Sequence, residues 1–68
     1  MKILFHNNCA QCKLVEKKLK ENNIEYTEEL NLQEVIDKGY MMSPVLKLED
    51  NTYLEGAKNI LNWLNNLE

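Results

Sequence analysis

Lys2-Ile3-Leu4-Phe5-His6-Asn7-Asn8-Cys9-Ala10-Gln11-Cys12-Lys13 is the stretch whose reading decides the fold. Lys2 to Phe5 has the pattern of a short buried strand. From Ala10 to Asn22 the residues Cys12, Val15 and Leu19 fall at i, i+3 and i+7, one stripe of a helix, which Leu14 widens. Both cysteines therefore lie where a strand gives way to a helix. Two thiols at this spacing close a disulfide only in a tight turn. A helix N-terminus offers unpaired backbone N–H groups and about half a positive charge, so a cysteine in its first turn is stabilised as the thiolate, the form that attacks disulfides. The stretch points to thiol–disulfide chemistry.

Outward from this turn, Asn22-Asn23 supplies a left-handed stop for the first helix, and Glu16 precedes Lys20 by four residues as a favourable pair on its outer face. Lysines 13, 17, 18 and 20 read as a solvated face. Ile24 to Leu30, with Tyr26 and Thr27, predicts a second strand. Asn31 with Glu34 resembles a capping box, Leu32, Val35 and Ile36 form the apolar stripe of a short helix, and Gly39 is placed to end it. Tyr40 to Pro44 is a loop. Val45 to Leu48 and Thr52 to Leu54 are two β-rich runs joined by the turn Glu49-Asp50-Asn51, which predicts a hairpin. Gly56 breaks the pattern. From about Lys58, Ile60, Trp63, Leu64 and Leu67 share one face of a final helix. The order β-α-β-α-β-β-α describes an α/β sandwich: a four-stranded mixed sheet with three helices, in which the first crossover makes a parallel pair and the last two strands an antiparallel one.

Length and composition bound the rest. The 68 residues, 44% of them hydrophobic, allow a single domain with a small core, spanning 1–68. Eight lysines stand against eleven acidic residues for a net charge of −3, with no arginine. An acidic chain lacking the bidentate guanidinium is a poor nucleic-acid binder. The apolar run at the N-terminus is too short for a signal peptide and none approaches a membrane span, so the expectation is a soluble, cytoplasmic protein. In such a reducing compartment a close cysteine pair is more often catalytic or metal-binding than a permanent bridge.

The strand and helix order, the cysteine pair at the first strand-to-helix turn and the lone Pro44 at the start of the third strand together resemble the thioredoxin superfamily in its minimal glutaredoxin-like form. Within it the chain is most similar to the small redoxins that serve ribonucleotide reductase, whose inter-cysteine pair often ends in glutamine, as Ala10-Gln11 does here. The resemblance implies that Cys9 is the exposed attacking thiolate and Cys12 the buried resolving thiol. It also implies that Pro44 is a cis-proline facing the pair, with Ser43 turned outward so that its backbone pairs with a substrate chain. Gln11 and Gly56 join Ser43 and Pro44 as implied substrate contacts. The protein would act as a monomeric dithiol-disulfide oxidoreductase on a protein disulfide, without a tightly bound cofactor, taking electrons from thioredoxin reductase and NADPH or from glutathione. Glutathione-using members carry a basic residue before the first cysteine and a Gly-Gly followed by Asp after the fourth strand. Here those positions read Asn8 and Gly56-Ala57-Lys58-Asn59, which favours the flavoenzyme as donor.

A second class of function stays open on the residues alone. Cys9 and Cys12 of two chains could together hold zinc or an iron–sulfur cluster, since a single chain has too few ligands for a structural zinc site. His6, three residues before Cys9, reads as a partly exposed polar residue satisfied by solvent. Met41, Met42 and Trp63 read as core filler.

Overall fold

The computed structural model describes residues 1–67, which form four strands and three helices. β1 (Lys2–Phe5) leads into α1 (Ala10–Glu21), β2 (Tyr26–Glu29), α2 (Gln33–Asp37), β3 (Val45–Lys47), β4 (Tyr53–Glu55) and α3 (Gly56–Asn65). The sheet order is β2-β1-β3-β4. β1 runs parallel to β2, with Lys2 opposite Tyr26 and Phe5 opposite Glu29, and antiparallel to β3, with Leu4 opposite Leu46. β3 and β4 form the expected hairpin.

Because successive strand residues point to opposite faces, Leu4 and Phe5 seed two separate cores. Leu4 and Leu46 face α1 and α3 and pack with Val15, Leu19, Ile60 and Leu64. Phe5 and Val45 face α2 and pack with Val35. The sheet is thus covered on both sides, which is why its two inner strands are nearly all apolar. No helix among the described residues is long and apolar enough to cross a membrane.

The helix ends follow their local chemistry. Asn23 is left-handed at φ 57°, and the Ile24 amide reaches back to the Leu19 carbonyl at 2.9 Å, closing α1. Gly39, at φ 92°, closes α2.

Several expectations are corrected. Asn31 and Glu34 form no capping box: Leu32 holds the N-cap position without a side-chain bond, the Asn31 carboxamide accepts the Gln33 amide, and Glu34 turns to Lys47 and Tyr53 on the sheet. α3 begins at Gly56, not Lys58, because glycine tolerates the φ of 85° with which the chain leaves β4. The hydrophobic stripes are narrower than predicted, with Leu14, Ile36 and Leu67 exposed. Glu16 is not on an open face with Lys20; it is half-buried and accepts the Tyr26 hydroxyl. Met41 and Met42 lie on the surface, Met41 at 93% exposure, and Trp63 is only half-buried.

Candidate active site

The site begins where β1 stops. The His6 amide makes one more ladder bond, to the Glu29 carbonyl at 3.2 Å, after which Asn8 turns left-handed at φ 61° and Cys9 returns to extended backbone as the N-cap of α1. Asparagine adopts that left-handed conformation more readily than most residues, so the local sequence suits the turn. The Cys9 carbonyl takes the first helical bond from Lys13. Its Sγ accepts the Cys12 amide at 3.1 Å, the position an N-cap oxygen would occupy.

The two thiols are placed in contrasting surroundings. Cys9 is half-buried at the rim, whereas Cys12 is fully buried. The Cys9 thiol is pushed below its ordinary value, chiefly by the hydrogen bond from the Cys12 thiol, aided by the Cys12 amide, the Ser43 hydroxyl and the Gln11 amide, against an opposing effect of burial. The first turn of α1 contains no carboxylate to offset these donors. Cys12 is pushed up, first by burial and then by its bond to Cys9. Cys9 therefore ionises first, and the buried neighbour keeps its proton. Both are present as free thiols.

Across the turn, the Ser43–Pro44 peptide bond is cis. Pro44 is buried, and its carbonyl accepts the Gly56 amide at 2.8 Å, so Gly56 braces the proline loop from behind instead of offering its N–H to a ligand. Gly56 itself is buried, and a Cβ there would sit 3.5 Å from Met42 Cε. The Glu55 carboxylate accepts the Met41 and Met42 amides and fixes the outer edge of this loop. Beside Ser43 a cleft of about 180 Å³ opens between Phe5, Asn7, Val35, Tyr40, Met41 and Met42. The structure thus brings Cys9, Cys12, Ser43 and Pro44 together. Gln11 contributes its backbone at the same turn with its side chain exposed.

Two residues here escaped the sequence reading. Asn7 Oδ1 lies 3.5 Å from the Cys12 thiol and 3.4 Å from the Ser43 hydroxyl, an alternative acceptor to Cys9 for the single proton of each, and so links the buried thiol to the proline loop. Its place in the short link between an apolar strand and a helix-capping cysteine was the available signal. His6 is the second, and the solvent-satisfied reading of it is wrong. The ring is fully buried; Nε2 lies 2.9 Å from Glu28 Oε1, and Nδ1 accepts the Asn8 amide at 3.2 Å. The pairing of β1 with β2, which sets Phe5 opposite Glu29, is what carries Glu28 to the ring.

His6, Glu16 and Glu28 offer ligand atoms all within 4.8 Å of one another, the one group of three metal-capable side chains among the described residues. Since Nδ1 accepts a hydrogen bond, a neutral ring carries its proton on Nε2 and donates it to Glu28, so that nitrogen has no free lone pair for a cation. No such group includes Cys9 or Cys12.

No family model matches the chain. The glutaredoxin-like protein NrdH of Lactococcus lactis subsp. lactis (strain IL1403) is 39% identical over 51 residues, covering 65% of this chain and 69% of that protein. A glutathione transferase homologue from Sulfitobacter, solved with bound glutathione, superposes with a TM-score of 0.71 over 94% of this chain at 20% identity. This chain spans 35% of that larger protein, and the likeness is one of fold: a thioredoxin-like sheet with its helices. The order of the strands, the cysteine pair at the N-cap of α1 and the identity to a glutaredoxin-like relative agree, and the chain belongs to the small glutaredoxin-like redoxins of the thioredoxin superfamily.

Proposed function

We propose that the protein is a dithiol-disulfide oxidoreductase that reduces protein disulfides through Cys9 and Cys12. The observation that carries this reading is the division of labour between the thiols: a half-exposed Cys9 with donors aimed at its sulfur, above a buried Cys12 that holds its proton. The Cys9 thiolate attacks one sulfur of a substrate disulfide; a mixed disulfide forms, and the departing substrate thiolate takes a proton from solvent. Cys12 then gives up its proton and attacks Cys9 Sγ, and the second substrate thiolate leaves. Two electrons and two protons reach the substrate, and the Cys9–Cys12 disulfide remains. Ser43, with Pro44 and Gln11 beside it, presents backbone for an extended substrate segment to pair with.

The substrate favoured by the resemblance is the disulfide of a ribonucleotide reductase, with the protein working as a cytoplasmic monomer and as a single domain. The donor we favour is NADPH through a thioredoxin-reductase-type flavoenzyme. Asn8 brings no charge to the rim, and Gly56, whose amide is engaged by Pro44, is followed by Ala57, Lys58 and Asn59 where a glutathione site has a second glycine and a carboxylate.

The test pairs two measurements. Alkylation of each cysteine against pH should find Cys9 reactive well below the free-thiol value of about 8.5 while Cys12 stays protected. Turnover of a protein disulfide should then proceed with thioredoxin reductase and NADPH, and much more slowly with glutathione and its reductase. Cysteines that titrate normally, or a purified dimer holding zinc or an iron–sulfur cluster on the cysteines of two chains, would overturn the proposal.

A further inference from the structure

His6 performs none of the steps above, yet it is fully buried and forms one hydrogen bond at each ring nitrogen. The Asn8 N–H points at Nδ1, so that nitrogen must present a lone pair. A ring with a lone pair at Nδ1 carries its proton at Nε2, where the Glu28 carboxylate accepts it. Glu28 is suited to accept, since its carboxyl is held below the ordinary value, first by its hydrogen bond with Glu16 and then by His6. Asn8 is the residue immediately before Cys9 and the one whose left-handed φ of 61° redirects the chain from β1 into α1. The bond to Nδ1 is the one side-chain contact to the Asn8 amide among the described residues.

We infer that His6 is a positioning residue for the thiol chemistry: in its neutral Nε2–H form it accepts the Asn8 amide and holds the left-handed turn that presents Cys9 at the N-cap. This rests on the oxidoreductase reading, because it assigns His6 to the presentation of the attacking thiol. Protonation puts a second N–H at Nδ1, facing the Asn8 N–H, and the turn loses its tether. The groups facing the ring that bear on this change are Glu16 on α1, Glu28 on β2 and the Tyr26 hydroxyl bound to Glu16, with Lys20 near Glu28.

Proton–nitrogen correlation spectra of the ring test the premise on the unaltered protein, and assignment is immediate because the chain has one histidine. The expected result at neutral pH is the Nε2–H tautomer. An Nδ1–H tautomer or a doubly protonated ring overturns the inference whatever the variants do. Two substitutions test the consequence through Cys9 alkylation against pH. His6→Leu removes the acceptor, and should slow Cys9 about three- to ten-fold at neutral pH, the range expected when a single buried hydrogen bond that holds the geometry is lost. His6→Asn keeps an acceptor near the place of Nδ1, and should recover most of the rate. Variants that melt at lower temperature but leave the Cys9 profile unmoved assign His6 to stability alone and overturn the inference. A parent Cys9 that never shows enhanced reactivity instead fails the oxidoreductase reading, and the ring spectrum reports on His6 independently of that failure.

Discussion

Replacing Ser43 by alanine isolates one donor to the Cys9 sulfur without touching either thiol. The Ser43 hydroxyl helps to hold Cys9 below its ordinary value, and Asn7 Oδ1, the alternative acceptor for its proton, remains within reach of the Cys12 thiol after the change. A hydrogen bond to a charged group is worth about 1.5–3 kcal/mol when desolvated, and exposure at the rim reduces this to about 1 kcal/mol. The alanine variant should therefore hold about five-fold less thiolate at pH values below the Cys9 transition, since 1.36 kcal/mol corresponds to tenfold. The remaining thiolate is more basic and intrinsically faster, by about two-fold for a Brønsted coefficient of about 0.4–0.5. The net expectation is a rate about 2.5-fold lower on the acid side and about two-fold higher on the alkaline plateau, so the two profiles cross. Alkylation with a small reagent, followed by mass analysis from pH 5 to 10, measures it. Profiles that decline in parallel at every pH, or that superimpose, would refute the claim that the Ser43 hydroxyl acts by stabilising charge on Cys9.

Cys12→Ser should leave the first attack intact and halt the second, so that the mixed disulfide accumulates and survives non-reducing electrophoresis; rapid release of substrate by this variant would remove Cys12 from the resolving role. Leu46→Ala empties a fully buried position between β1 and β4, and should cost about 2–5 kcal/mol in urea unfolding, a large share of the about 3–10 kcal/mol available to a chain this size. A loss under about 1 kcal/mol would mean that the core relaxes around the cavity. The reduced protein should show opposing pH effects on stability. Cys9, lowered by folding, contributes fully above about pH 8.5, the unfolded value, and loses this as pH falls through its folded transition, whereas raised Cys12 stabilises below about pH 8.5 and loses this on further alkalinisation. Tyr26 is pushed up to about 12, chiefly by burial, so the unfolded chain ionises first and stability should decline from about pH 10 towards 12; Tyr26→Phe should make that decline shallower in thermal melts, leaving the share that Cys12 and Tyr53 contribute.

What the sequence disclosed and what it concealed divide by the range of the interaction. The helix of Cys12, Val15 and Leu19 is written in a local period, as are the left-handed stop at Asn23 and the hairpin around Asn51, and each appears within a residue or two of its expected place. Cys9 and Cys12 were legible for the same reason, since strand, turn and helix follow one another within a dozen residues. The capping box failed because Glu34 has a stronger offer across the fold, from Lys47 and Tyr53, than from the backbone three residues back. His6 failed in the same way. Nothing near it in sequence calls for burial, and its partner Glu28 arrives 22 residues later through the parallel register of β1 and β2, with Glu16 delivered by α1. That origin also bears on function. The parallel register that buries the ring on Glu28 belongs to the strand pair that ends at the Cys9 turn, so loosening β2 would release the Nε2 contact and the Asn8 tether behind Cys9 together. Glu28→Gln, which retains an acceptor for the Nε2 proton but removes the charge, should leave the turn in place and the ring in its Nε2–H tautomer. A ring that moves to the Nδ1–H tautomer in this variant would show that the charge of Glu28, and not its hydrogen bond, holds the proton on Nε2.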